Sequence, residues 1–128
     1  MAEPGSGALL RGRRLLVVED EYLIAAALER ALEDHGAEVV GPAGSVEGAL
    51  RLVEAEGDRL DGAVLDINLR GERVYPVADA LAARGVPFVF LTGYDAQVIP
   101  DTYAGVPRSE KPVSTALLAR TLLKAGMR

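Results

Sequence analysis

The chain has 128 residues, 14 of them Lys or Arg and 19 Asp or Glu, for a formal net charge of −5. That length fits one domain burying about two-thirds of its unfolded surface, so folding needs no metal or disulfide staple. With 49% hydrophobic residues a disordered acidic chain is excluded, and with no Cys so are disulfides, thiolate metal sites and a Cys nucleophile. A pI near 4.9 argues against a nucleic-acid partner, which would need a basic face.

Residues Met1 to Gly12 are Gly-rich and aperiodic and read as a mobile tail, which leaves 13–128 as the domain. Arg13-Arg14 suggests a twin-arginine signal, but only Leu15 to Val18 follow before Glu19-Asp20-Glu21. An export signal needs an apolar stretch of roughly 7–15 residues and a membrane span about 20, so we expect a cytoplasmic protein with no membrane partner.

Arg14 to Val18 is a buried-strand run, and Glu21 to His35 follows as a helix with Leu23, Ala27, Leu28, Ala31 and Leu32 at helical spacing and Gly36 as its stop. Ala37 to Gly41 is a second strand and Pro42/Gly44 a loop. Ser45 is placed to cap a helix running to about Glu56. Gly62 to Asp66 is a third strand, Val77 to Arg84 a third helix, and Pro87 to Leu91 a fourth strand. Gly93, Pro100, Gly105 and Pro107 then leave room for only a turn or two of helix around Ala96 to Ile99. The weakest strand, Val106 to Ser109, and a helix over Ser114 to Ala125 complete the chain. Strands alternating with helices predict an α/β fold with a doubly wound parallel sheet and a short fourth helix.

In such sheets, sites form at the carboxyl ends of the strands. The first run ends in Glu19-Asp20, the third in Asp66 and the fourth in Thr92, and Lys111 follows the fifth. Each has an ordinary alternative: a turn carboxylate, a helix N-terminal acid, a strand-end hydroxyl or a solvated ammonium. Their joint placement on one edge favours chemistry. Clustered carboxylates suit a hard cation such as Mg²⁺, and a carboxylate can attack phosphorus to give an aspartyl phosphate. A Lys and a hydroxyl would steady the transferring group. Asp66 stands alone and suits the nucleophile; Glu19 and Asp20, as a pair, suit the metal. His35, the sole histidine, reads as a helix-end cap rather than a phosphate carrier.

Val17-Val-Glu-Asp-Glu21, Leu65-Asp-Ile-Asn-Leu69 with Gly71, Leu91-Thr-Gly-Tyr94 and Glu110-Lys-Pro112 resemble the motifs of response regulator receiver domains, over essentially all of the chain after Gly12. The resemblance implies a flavodoxin-like five-stranded sheet in the order 2-1-3-4-5. It also implies Asp66 as phosphoacceptor, and Mg²⁺ held by Asp20, by Glu19 through water, by Asp66 and by the backbone carbonyl of Asn68. Thr92 would bind the phosphoryl group and turn inward on activation, Lys111 would pair with that group, and Pro112 would carry the family's usual cis peptide. Glu19 is one methylene longer than the commoner Asp.

Pro87-Phe88-Val89-Phe90-Leu91-Thr92-Gly93-Tyr94 resembles the signature of the FAT GUY single-domain receivers, with Leu91 in place of Ala. Three positions before Lys111, where most receivers carry a switch aromatic, stands Arg108; Tyr94 is the candidate substitute ring. The implied partners are a sensor histidine kinase, of the HWE-related class found with this subgroup, and an unidentified downstream protein. A stand-alone receiver is favoured over one excised from a hybrid kinase or longer regulator. The oligomeric state is not legible. The rival enzyme reading, a haloacid-dehalogenase-like phosphatase, would put its Asp nucleophile after the first strand with an Asp two residues on; here Asp66 follows the third and is followed by Asn68. We therefore expect a signalling module rather than an enzyme that turns over external substrates.

Overall fold

Five parallel strands form the main sheet of the computed structural model, which describes residues 9–92, 99–111 and 115–127. In chain order the elements are β1 (Arg14–Val18), α1 (Tyr22–Asp34), β2 (Glu38–Ala43), α2 (Val46–Glu56) and β3 (Gly62–Asp66). They continue with β4 (Asn68–Leu69), β5 (Glu72–Arg73), α3 (Tyr75–Ala83), β6 (Phe88–Thr92), β7 (Arg108–Glu110) and α4 (Thr115–Lys124). The sheet order is β2-β1-β3-β6-β7, with β4 and β5 apart as a two-stranded antiparallel ribbon. Counting only main-sheet strands, this is the expected 2-1-3-4-5.

The strands read as unbroken apolar runs because both faces of the sheet are covered. Side chains alternate between two cores. Leu16, Val18, Ala63, Leu65, Phe88 and Phe90 pack with Ala49 and Val53 of α2 and Val77, Ala78 and Leu81 of α3. Leu15, Val17, Val64, Val89 and Leu91 pack with Leu28 and Leu32 of α1 and Leu118 and Leu122 of α4. Ser45 caps α2 as expected, its hydroxyl accepting the Gly48 N–H at 3.0 Å.

Boundaries differ from the sequence reading in instructive places. β2 runs on through Pro42 to Ala43, which an outer strand tolerates because it needs no donor on its free side. α3 begins at Tyr75, two residues early, because Pro76 sits in its first turn, where a missing N–H costs nothing. The β4–β5 ribbon was not anticipated at all. It turns on Arg70 and Gly71, both left-handed at φ +51° and +89°, without the Asn-Gly or Asp-Gly pair that usually announces such a turn. The expected fourth helix falls mostly on residues outside the described ones; beyond them lies a single 3₁₀ turn, Asp101–Tyr103.

The N-terminal boundary moves as well. Residues 1–8 lie outside the described set, but residues 9–12, counted with the tail above, form a turn with Leu10 wholly buried in the α1/α4 core. The Leu10 N–H donates to the His35 carbonyl at 2.9 Å, and a Cβ on Gly36 would stand 2.9 Å from Arg11 Cα. Gly36, at φ +94°, thus both ends α1 and admits this turn.

A ring cluster ties the β6–β7 connection to α3. Tyr103 stacks on Tyr75, centroids 4.8 Å apart and planes at 10°, and meets Phe90 edge-on at 5.9 Å. Its hydroxyl donates to Asp79. Burial, then the Asp79 carboxylate, push this phenol up to about 12, so it stays a neutral donor.

Leu10→Ala should cost about 2–4 kcal/mol in urea unfolding if the turn is part of the core; a cost near zero would return residues 9–12 to the tail. Tyr103→Ala should cost about 1–2 kcal/mol and raise amide exchange across 99–107, while Tyr103→Phe, which keeps the ring contacts, loses about 1 kcal/mol or less. Equal losses in the two variants would show that the hydroxyl, not the ring stack, holds the segment.

Candidate functional site

Because the five strands are parallel, their carboxyl ends share one edge, and four of them contribute a side chain from their last residue or the one or two that follow. β1 delivers Glu19 and Asp20, β3 ends on Asp66, β6 ends on Thr92, and Lys111 follows β7. Two backbone hydrogen bonds set the frame: Glu19 N–H to the Ala43 carbonyl at 2.9 Å, and Lys111 N–H to the Thr92 carbonyl at 2.9 Å.

Lys111 stands between two carboxylates. Its Nζ donates to Asp66 Oδ2 at 2.9 Å and lies 2.7 Å from Glu19 Oε1. Glu19 is 2% exposed and Asp66 7%. The Glu19 contact is a close ion pair rather than a well-aligned hydrogen bond, and among the described residues the buried Oε1 has no hydrogen-bond partner. Glu19 Oε2 accepts the Glu21 N–H at 3.1 Å, and Asp66 Oδ1 accepts the Asn68 N–H at 3.1 Å.

Glu19, Asp20 and Asp66 each offer an oxygen within 4.8 Å of the others'. Three hard oxygen donors, two of them on buried carboxylates that share one ammonium, fit a divalent cation such as Mg²⁺. Asp20 is half-buried, its side chain 14% exposed, and Arg70 Nε stands 3.6 Å from its Oδ2.

Burial pushes the Glu19 carboxyl up, from 4.5 to about 7, and the Asp66 carboxylate adds to that; Lys111 and the Glu21 amide pull it down without cancelling the rise. Burial alone would lower the Lys111 ammonium, but Glu19 and Asp66 outweigh it and the group ends above its ordinary 10.5.

The remaining sequence candidates fall as follows. Thr92 is 8% exposed at the end of β6, and its hydroxyl has no hydrogen bond to another described residue. Asn68 is exposed; its Oδ1 accepts the Gly71 N–H at 3.0 Å and so closes the β4–β5 turn. Arg108 opens β7, exposed and in register with Phe90. Tyr94 and Pro112 lie outside the described residues. His35 is the residue that caps α1, as expected. Two residues that sequence reasoning passed over stand close to these: Arg70 beside Asp20, and Tyr103 on Phe90, which shares its sheet face with Thr92. A Tyr among Gly and Pro gives no periodic signal, and a turn Arg looks like any solvated charge.

The chain is 43% identical to SdrG from Sphingomonas melonis Fr1, covering 88% of this chain and 95% of that one, with a TM-score of 0.78. The BeF3-activated conformation of SdrG from Pseudomonas melonis Fr1 matches at 42% identity, covering 94% and 98%, with a TM-score of 0.73. The signal receiver domain of a modulated diguanylate cyclase from Desulfovibrio desulfuricans G20 is 31% identical, with 88% of this chain and 91% of that one covered and a TM-score of 0.73. This chain belongs to the response regulator receiver domains. The receiver resemblance seen in the sequence therefore holds, and it places the protein in two-component signalling, the setting of sensor histidine kinases. Among curated proteins, the transcriptional regulatory protein PdtaR of Mycobacterium tuberculosis is 32% identical over 83 residues, 64% of this chain but only 40% of PdtaR. No protein-family model matches the chain. Among the described residues no helix of this receiver is long and apolar enough to cross a membrane.

Between pH about 4.5 and about 7 the folded receiver keeps a proton on Glu19 that the unfolded chain has lost, so its stability falls as pH rises through that window. The contribution is fully present below the lower value. Glu19→Gln should flatten the fall, and Mg²⁺, by favouring the ionised carboxylate, should lessen it in the wild-type protein. Urea midpoints at pH about 5 and about 8, with and without Mg²⁺, would show this. An identical pH slope in Glu19→Gln would mean that some other group titrates.

Proposed function

We propose that this receiver is a phosphoacceptor whose reacting group is the Asp66 carboxylate. The observation that carries the reading is Lys111 Nζ, 2.9 Å from Asp66 Oδ2 and 2.7 Å from Glu19 Oε1 at the shared edge of five parallel strands. An Asp66 oxygen attacks the phosphorus of a phosphohistidine on a sensor histidine kinase. An O–P bond forms, the N–P bond breaks, and its electron pair returns to the imidazole. The product is an aspartyl phosphate.

Each neighbour has a part. Asn68 N–H holds Asp66 Oδ1, which fixes the carboxylate plane and leaves the Oδ2 side toward Lys111. The Lys111 ammonium then has two anionic partners from which to turn toward an incoming phosphoryl oxygen. The Thr92 hydroxyl, without another described partner, donates to a second phosphoryl oxygen as the strand end turns inward. Glu19, Asp20 and Asp66, with the Asn68 backbone carbonyl, would hold Mg²⁺. The ion supplies charge neutralisation for a dianionic group arriving at an acidic site. The same groups speed hydrolysis of the acyl phosphate, so the chemistry is self-catalysed and external substrates are not turned over.

Phosphorylation shifts a two-state balance only through contacts that differ between the states. With Arg108 at the ordinary switch position, Tyr94 is the proposed substitute ring. The likeness of 87–94 to the FAT GUY signature supports a stand-alone receiver acting on a downstream protein and served by a kinase of the HWE-related class. The likeness to SdrG, of whose solved chain 95% is covered, supports the stand-alone part of that reading. SdrG is described in a BeF3-activated conformation, and a BeF3 group joined to a carboxylate oxygen has the tetrahedral shape of a phosphoryl group. The PdtaR match, which spans only 40% of that protein, supports a second reading, a receiver module within a longer regulator.

Intact mass after incubation with Mg²⁺ and a small acyl phosphate should show one added phosphoryl group, labile to hydroxylamine, lost on removing Mg²⁺ and absent from Asp66→Asn. Wild-type labelling of Asp66→Asn would defeat the assignment.

A further inference from the structure

The three site carboxylates are not neutralised alike. Lys111 serves Glu19 and Asp66. Among the described residues the positive group beside Asp20 is instead Arg70, with Nε 3.6 Å from Oδ2. The two cations differ in how they are held. Lys111 is 20% exposed at its side chain and anchored by its own N–H to Thr92, whereas the Arg70 side chain is 80% exposed.

The backbone beneath Arg70, by contrast, is fixed. It sits at φ +51° in the two-residue turn, which Gly71 N–H to Asn68 Oδ1 (3.0 Å) and Val74 N–H to the Ile67 carbonyl (2.9 Å) hold closed. Asn68 N–H in turn binds Asp66 itself. An Arg in a left-handed position is disfavoured where Asn, Asp or Gly would be at ease. Asp there would add a fourth carboxylate to the cluster, and Asn or Gly would leave Asp20 without a counter-charge. Arg carries the strain and supplies the charge.

We infer that Arg70 is a displaceable counter-ion: its guanidinium occupies Asp20 until a divalent cation takes that carboxylate, and the competition sets the cation affinity of the unphosphorylated receiver. This rests on the divalent-cation reading of the site. An exposed ion pair of this length is weak, so the side chain swings away at little cost. A positive charge tethered within a few ångströms of a dication still opposes its binding, more strongly at low salt. Arg70 is therefore a positioning residue that tunes the site from outside.

Calorimetric titration of the unphosphorylated protein with Mg²⁺ tests this without any activity readout. Arg70→Gln should bind Mg²⁺ about threefold or more tighter at low ionic strength, and the gain should shrink toward nothing near 0.5 M salt. Arg70→Lys, which keeps the charge, should stay near wild type. Arg30→Gln removes the same charge from an exposed position about 12 Å along α1 from Tyr22, and should change affinity less than about 1.5-fold. If Arg70→Gln matches Arg30→Gln, or binds more weakly than wild type, the inference is overturned while the cation site stands. If the wild-type protein itself binds no Mg²⁺, the cation reading of Glu19, Asp20 and Asp66 falls, and the inference with it.

Discussion

One ammonium shared by two buried carboxylates is the constraint around which the rest of this receiver is arranged. Removing a charge from water costs several kcal/mol even after relaxation, and Glu19 is almost wholly removed. Lys111 can offset one negative charge, not two. With both carboxylates ionised the cluster carries an unbalanced negative charge at the strand edge; burial first, and then Asp66, raise the Glu19 carboxyl against it. A site of this kind is receptive to further positive charge by construction. The fold's part is to hold like charges closer than they would choose, which the parallel strand ends do through backbone hydrogen bonds that no side-chain rearrangement can relax.

The two cores share that burden differently. The α1/α4 core lies behind β1, β3 and β6 and takes in Leu91, a larger side chain than the Ala of the FAT GUY signature, between Val64, Leu118 and Leu122. The α2/α3 core carries the aromatic weight: Phe88 and Phe90 on β6, with Tyr75 and Tyr103 completing the cluster at its edge. Phe90 and Thr92 point to the same face because strand side chains alternate. Tyr103 thus meets β6 at Phe90, two residues before its end, and reaches α3 at Asp79. At the other end of the sheet, Arg14 ties Glu38 of β2 to Glu56 of α2, and its N–H binds Asp61 at 2.9 Å, so the amino ends are stitched while the carboxyl ends stay open for chemistry.

What could be read from the sequence follows a physical rule. β1, β3 and β6 were legible because burial on both faces writes a strand as a short unbroken apolar run, and their ends told which residues would converge. Glu19, Asp20, Asp66, Thr92 and Lys111 could thus be placed on one edge before any distance was known. The features that were missed depend on contacts distant in sequence. Leu10 reads as tail because its partners lie on α1, β1 and α4. Tyr75-Pro76 reads as a break because Pro is a helix breaker everywhere except the first turn. Arg70 has no local signature, since its neighbour Asp20 is fifty residues earlier in the chain, and the turn that presents it lacks the usual residue pair.

β7, three residues long and placed last in the sheet, has a consequence of its own. An outer strand offers unpaired amides and carbonyls to any extended peptide, and proteins commonly deter such pairing with brevity and charge. Its three residues and the exposed Arg108 at its head supply both here. The charge that stands at the ordinary switch position thus also discourages strand addition at this margin. At this margin a partner is left to read side chains rather than to extend the sheet.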